Sequence, residues 1–143
     1  MRIPMRVDYG VRALVDLALQ VEGGRPVRTA EIAGRQAVPE AYLDQVLTTL
    51  NKFGFIRSRR GRNGGHMLAK PAEQISLGDV MSTLEGRSAP LDCIDEPAEC
   101  TLSPSCAQRE IWRDVEESIQ SLLNTTSVAD LVTRQLHLAG RHR

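Results

Sequence analysis

Three cysteines, Cys93, Cys100 and Cys106, fall within fourteen residues of a chain that carries no other thiol. Their spacing, Cys-x6-Cys-x5-Cys, is too wide for a zinc ribbon, which pairs its cysteines across two to four residues. A zinc site would also want a fourth Cys or His nearby, and His66, His137 and His142 are distant in sequence. Iron–sulfur clusters are larger than a single ion and accept wider, irregular spacing, but each normally takes four protein ligands. Three thiols leave one ligand to come from elsewhere, another chain included. The same residues also read as a redox switch in which two form a disulfide, or as ordinary thiols. An odd count confined to one segment argues against a secreted disulfide scaffold.

A second group is basic. Arg57, Arg59, Arg60 and Arg62 place four guanidinium groups in six residues, the last three within Arg59-Arg60-Gly61-Arg62-Asn63-Gly64-Gly65. Phe55 to Ser58 reads as a strand and His66 to Ala69 as its return, with glycines permitting positive φ in the loop. Like charges at a hairpin tip are costly unless an anion shares the site; the alternative is a solvated charged turn. The basic character extends further. Residues 1–70 hold twelve Lys/Arg against six Asp/Glu, and residues 71–143 hold the reverse. A neutral chain split into a basic and an acidic half hints at a module that faces nucleic acid.

These groups need elements to position them. Val7, Val11, Leu14, Ala18 and Val21 recur at helical steps, predicting a first helix over residues 5–21 that Gly23-Gly24 ends. Asp8, Arg12 and Asp16 lie on another face at i, i+4 spacing, as a solvated, paired surface would. Thr29 is expected to cap a short helix carrying Ile32 and Ala33. After a tight turn at Ala37-Val38, a second helix runs from about Glu40 to Phe53 with Leu43, Val46, Leu47 and Leu50 as its apolar stripe. Two helices joined by a tight turn, the second polar on its outer face, make a helix-turn-helix. With a basic hairpin behind it, the pattern is a winged helix.

Downstream, Ser76 and Asp79 form a capping pair, Ile75 can staple to Val80, and Gly86 closes the helix. Residues 87–106 lose periodicity, carry Pro90, Pro97 and Pro104, and hold all three cysteines. A long helix over 107–124 bears Ile111, Val115, Ile119 and Leu122 on one stripe with few partners inside so small a domain, which suits pairing with a copy of itself. A short last helix begins at Ser127, and the tail from Gly140 to Arg143 is expected to be disordered. The fold class is therefore mainly α with a small β-hairpin wing: a winged helix-turn-helix domain over 1–86, a cysteine loop over 87–106, and a dimerisation helix with its tail over 107–143.

Length, 143 residues, and 41% hydrophobic content allow a packed core. No run approaches the 18 apolar residues of a membrane span, and Asp8, Arg12 and Asp16 interrupt the segment after the basic N-terminus, unlike a signal peptide. A cytoplasmic protein is expected. No nucleophile elbow, phosphate loop or paired-acid motif appears, so an enzyme is not.

The chain resembles the IscR/NsrR family of winged-helix iron–sulfur transcription regulators over almost its whole length. The resemblance rests on Met1-Arg2-Ile3 with Val7-Asp8-Tyr9-Gly10-Val11-Arg12-Ala13-Leu14, on Pro39 to Gln45 leading to Leu50, on the arginine–glycine loop, on the three-cysteine segment and on Trp112-Arg113-Asp114. It implies a homodimer whose long helices cross, with one cluster per subunit on Cys93, Cys100 and Cys106. The branch regulating cluster assembly uses a histidine three residues after the last cysteine, where this chain has Arg109. The nitric-oxide-sensing branch is similar in having an aspartate in the first helix that reaches the other subunit's [4Fe–4S] cluster. The matching residue is Asp8, which otherwise reads as a surface acid paired with Arg12. A [4Fe–4S] cluster is therefore favoured, with [2Fe–2S] as the alternative. The first cysteine gap of six residues, against the commoner five, is a further departure.

The expected function is a dimeric repressor of a palindromic operator in double-stranded DNA that senses nitric oxide, redox state or iron–sulfur status. Tyr42, Asp44 and Gln45 would face base edges or nearby backbone, and Arg28, Thr29, Arg59, Arg60 and Arg62 phosphates or the minor groove. The rivals are a cluster-free regulator of the same fold that uses a thiol switch or a metabolite, and an iron–sulfur carrier whose basic half docks an acidic partner.

Overall fold

A computed structural model describes residues 2–86 and 89–142. Met1 of the opening run, Arg87 at the start of the cysteine segment and Arg143 of the tail lie outside the described residues. The fold is mainly helical, with one two-stranded antiparallel hairpin.

Helix α1 (Met5–Leu19) sits at the centre, packed against the two helices of the helix-turn-helix and two later ones. Contact on several sides explains why its buried face is broader than the expected stripe. Val7 and Leu14 are buried, as are Gly10, Ala13 and Leu17, while Val21 lies past the helix end and is exposed. At Gly10 a Cβ would stand 2.6 Å from Leu84 Cδ1, so a side chain there would require the Leu84 side chain to shift.

Asp16 overturns the expectation of a solvated acidic face. It is buried, and Arg35 grips it with a two-pronged guanidinium, Nε and Nη2 each 2.8 Å from a carboxylate oxygen. Gln36 adds a third donor at 3.2 Å. A buried carboxylate survives only when its oxygens are satisfied in this way. Nothing in α1 alone reveals the reason: the partners come from α2, which packs across it. The hydrogen bond to Asp16 raises the Arg35 guanidinium above its already high pKa, against the opposing effect of burial.

Helices α2 (Thr29–Gln36) and α3 (Glu40–Lys52) form the helix-turn-helix. Ala37 turns the chain between them in the left-handed region, at φ 53°. Leu43, Val46, Leu47 and Leu50 are buried, as the stripe predicts. Thr29, however, does not cap α2. The cap position is Arg28, whose backbone N–H donates to Glu31 Oε2 at 2.9 Å. The helix is set one residue earlier because Val27 is held extended against His66, with N···O distances of 2.9 and 2.7 Å. Arg25 and the Arg28 N–H together hold the Glu31 carboxyl down to about 2.

Strands β1 (Ile56–Arg59) and β2 (Gly65–Leu68) pair in the register Ile56 to Leu68 and Arg59 to Gly65, one residue later at the first strand and one earlier at the second than the pattern indicates. The two loop glycines answer to close backbone approach. A Cβ at Gly64 would sit 2.2 Å from Arg59 O, and one at Gly65, where φ is 144°, 2.7 Å from the Val27 backbone.

Helix α4 (Leu77–Glu85) is capped by Ser76, whose hydroxyl accepts from the Asp79 N–H, with Ile75 and Val80 fully buried beside it. The cysteine segment is more ordered than its composition suggests. It contains the short helix α5 (Asp92–Asp95) and two single turns, Pro97–Glu99 and Ser103–Ser105. Helix α6 spans Ala107–Asn124, the expected bounds. Helix α7 (Val128–Arg141) is a full-length helix rather than a short one, and continues through Gly140 and Arg141 of the tail expected to be disordered. Ser127 and Asp130 cap its start reciprocally, and Val128, fully buried, anchors it to the core where it packs along α1. Capping plus one anchored turn overcomes the cost of nucleation, after which each added residue is nearly free. No described helix is long and apolar enough to cross a membrane.

Candidate nucleic-acid interface and thiol loop

On α3, Asp44, Gln45 and Thr48 face solvent, while the Thr48 hydroxyl donates back to the Asp44 carbonyl at 2.8 Å. Tyr42 is half-buried: its ring stands edge-on to Tyr9, with centroids 5.4 Å apart. That packing fixes the ring at the boundary between α1 and the outer face of α3. Arg59, Arg60 and Arg62 are exposed at the wing, and none forms a salt bridge among the described residues. Unpaired guanidinium groups concentrated on one hairpin are free to meet phosphate.

The structure joins the wing to the start of α2. The Arg28 guanidinium donates to the Arg62 carbonyl, so two of the sequence-picked residues meet. Thr29 meets a residue the sequence does not single out. Its hydroxyl pairs with His66 Nε2 at 2.9 Å, and Ser58 Oγ pairs with His66 Nδ1 at 2.7 Å. A neutral imidazole offers one donor and one acceptor, and each hydroxyl can take either role, so the chain Thr29–His66–Ser58 is satisfied without a charge. Burial lowers the His66 pKa, against the pull of Asp44. The only sequence signal is a histidine in a strand beside a glycine pair, which does not show what lies across the sheet.

Cys93, Cys100 and Cys106 are all free thiols and all half-buried. Cys93 lies in α5, Cys100 ends the Pro97–Glu99 turn, and Cys106 is the N-cap of α6. Arg109, in the place of the expected histidine, donates through Nε to the Cys93 carbonyl at 2.9 Å and so ties the loop to α6. The described residues contain no group of three Cys, His, Asp or Glu converging on one point as a single metal ion requires. A multi-atom cluster spreads its ligands further apart, and three free thiolate donors in one loop suit its soft iron. The donor set fits such a group, short of one ligand. Asp8 is not drawn to the cysteines of its own chain. It is gripped by Arg12 at 3.0 and 3.1 Å, and Arg12 also donates to the Gln36 carbonyl at 3.1 Å.

Along α6, Ile111, Trp112, Val115 and Leu122 are exposed, and no residue of the helix is buried. An apolar cavity of about 360 Å³ opens beside it, lined by Met81, Pro90, Trp112, Val115 and Ile119 among others.

A helix-turn-helix with an arginine wing defines a winged-helix DNA-binding regulator. The profile of Rrf2, described as an iron-dependent transcriptional regulator, matches residues 3–134. The chain belongs to the Rrf2 family, whose members are transcriptional regulators that bind DNA and are not enzymes. It is 37% identical to the protein rrf2 of Nitratidesulfovibrio vulgaris over 132 residues, covering 92% of this chain and 87% of that one. Among solved structures, IscR of T. potens superposes with a TM-score of 0.76 at 31% identity, covering 94% of this chain and 88% of that one. CymR, the global cysteine regulator of B. subtilis, gives 0.77 at 27% identity and covers 94% and 98%.

Proposed function

We propose that the chain is a homodimeric repressor of a palindromic operator, switched by an iron–sulfur cluster on Cys93, Cys100 and Cys106. The observation that carries this is the placing of three free thiols in a loop whose last cysteine caps α6, a helix with no buried residue and an exposed apolar stripe. A change at the thiols acts directly on the helix that would pair with its copy. In this reading residues 1–86 read DNA, 87–106 hold the cluster and 107–143 dimerise. Asp44 and Gln45, with Tyr42 beside them, enter the major groove; Arg59, Arg60 and Arg62 hold backbone phosphates, with Arg28 and Thr29 at the wing's root. The cluster supplies chemistry that amino-acid side chains lack: reversible electron transfer and reaction with small molecules such as nitric oxide. Moving α6 changes the spacing of the two α3 helices, and a coupling of about 1–3 kcal/mol is enough to change operator occupancy.

Asp8 of the opposite subunit is the fourth ligand in this reading, on a [4Fe–4S] cluster. Its side chain is 43% exposed in the Asp8–Arg12 pair. Such a surface pair is worth at most about 1 kcal/mol, so it is released cheaply. Hard carboxylate oxygen on soft iron is a displaceable ligand, as a sensor needs.

Absorbance of the anaerobically purified protein tests the reading. A brown protein with broad visible absorbance is expected, and Cys→Ala at 93, 100 or 106 should each abolish it. Asp8→Ala should leave a cluster with an altered spectrum and altered rate with nitric oxide, and Asp8→Cys a less reactive one. A colourless protein with three titratable thiols would favour the second reading, a cluster-free thiol switch. That reading draws on the likeness to CymR and on thiols that do not converge on a single ion. An iron–sulfur carrier does not agree with a family of transcriptional regulators.

A further inference from the structure

One buried side-chain polar atom among the described residues has no hydrogen-bond partner, and it is Ser103 Oγ. Elsewhere burial and pairing go together: Asp16, buried more deeply, is met by three donors. An unpaired buried hydroxyl is rare enough to call for an explanation. Ser103 stands midway between two of the thiols, three residues after Cys100 and three before Cys106. Its N–H donates to the Cys100 carbonyl at 3.1 Å, and the turn it opens leads straight to Cys106.

The polarity of this turn is inverted. Thr101, Leu102, Pro104 and Ser105 are exposed, Leu102 by 68%, and only the serine is turned inward. A loop folded for apolar burial would bury the leucine and expose the hydroxyl. A loop folded around a polar, sulfur-rich group would do what is seen.

We propose that the Ser103 hydroxyl is a hydrogen-bond donor to the sulfur of the cluster held on Cys93, Cys100 and Cys106. The proposal rests on the iron–sulfur reading above. The hydroxyl donates to a cluster sulfide and does not ligate iron, for which its hard oxygen is a poor match. A donor to cluster sulfur stabilises the more negative, reduced state and so raises the reduction potential; it also slows cluster loss.

The test compares full-length wild-type, Ser103→Ala and Ser103→Thr, reconstituted anaerobically. Measurements are the reduction potential, the rate of cluster loss to a chelator and the urea stability of metal-free protein. Ser103→Ala should assemble the cluster, shift its potential to more negative values and lose it about 10-fold faster. Its metal-free form should be no less stable than wild-type, and Ser103→Thr should restore both cluster properties. An alanine variant with wild-type potential and loss rate overturns the proposal, as does one that destabilises the metal-free fold as much as the loaded one. Failure of Ser103→Ala to assemble any cluster would make the residue a ligand and overturn the donor role. Colourless wild-type protein would overturn the iron–sulfur reading itself, and this proposal with it, an outcome distinct from a silent variant.

Discussion

Between Val7 and Leu84 the chain closes on itself. Every buried apolar side chain among the described residues except Val128 lies there, gathered around α1. Beyond Gly86 the pattern reverses: α6 buries none of its eighteen residues and exposes Ile111, Trp112, Val115 and Leu122. Charge divides in the same sense, with twelve basic and nine acidic residues up to Gly86 and six and nine after it. A closed region carries its stability with it at any concentration. An open apolar stripe is stable only when something covers it, so its state depends on concentration and on the orientation of its neighbours. The basic, closed half can stay rigid on DNA while the acidic, open half carries the adjustable contact.

The largest expected effect breaks the open half. Leu122→Arg should turn a dimer into a monomer by sedimentation and weaken operator binding at least about 100-fold, since two linked half-site contacts become one. Unfolding of the monomer should change by less than about 0.5 kcal/mol, because an exposed leucine contributes little inside its own chain. A variant that stays dimeric would remove the α6 stripe from the interface, and the two halves would no longer differ in what covers them.

In the closed half the cost should fall on stability instead. Arg35→Ala strands the carboxylate of Asp16, which is 2% exposed, and should cost about 2–3 kcal/mol in urea unfolding, below the usual range for a broken buried pair because Gln36 still donates. Asp16→Asn should cost less, since the Arg35 side chain left behind is 38% exposed and can turn to water. Equal losses would mean that the attraction, not the stranded charge, sets the energy.

Two substitutions on the DNA face separate position from readout. Gln45→Ala should lower discrimination between operator and non-specific DNA by about 1–3 kcal/mol if its amide makes a bidentate base contact. Arg60→Ala should weaken binding to every sequence alike and flatten the dependence of log K on log salt by roughly one unit for the one phosphate it neutralises. An unchanged salt slope with weaker binding at the operator alone would move Arg60 from phosphate to base contact.

Legibility in the sequence divides the same way. The stripes of α3 and α6 are legible because each buries or offers one face, and the period of 3.6 records a single face well. Helix α1 departs from its pattern at Asp16 because it packs on several sides, and at Val21 because it ends at Leu19; periodicity cannot tell a paired buried acid from a solvated one. The α2 cap shifts because the strand-like pairing of Val27 with His66, thirty-nine residues away, decides where the helix begins. The cysteines are legible as a set, but the inward serine among them is not: its meaning depends on which side of a turn faces in, and a segment with three prolines has no period to show it.

His66 gives the finest test, because it joins the wing to the helix-turn-helix within the closed half. Its imidazole lies between the Thr29 and Ser58 hydroxyls, and burial lowers its pKa below the ordinary value of about 6.5, against the attraction of Asp44. Between its native pKa and about 6.5 the unfolded chain therefore binds more protons at this residue than the folded one. Stability rises with pH across that window, is fully present above it, and is lost as pH falls through it. Protonation also makes both ring nitrogens donors, so each hydroxyl must turn to accept. Wild-type protein should unfold at lower urea at pH 5.5 than at pH 7. His66→Gln, whose amide offers one donor and one acceptor without titrating, should narrow that difference while binding DNA with wild-type salt dependence at pH 7. If the two proteins lose stability in parallel, carboxylates elsewhere set the acid limit, and the Thr29–His66–Ser58 link holds the wing in either charge state.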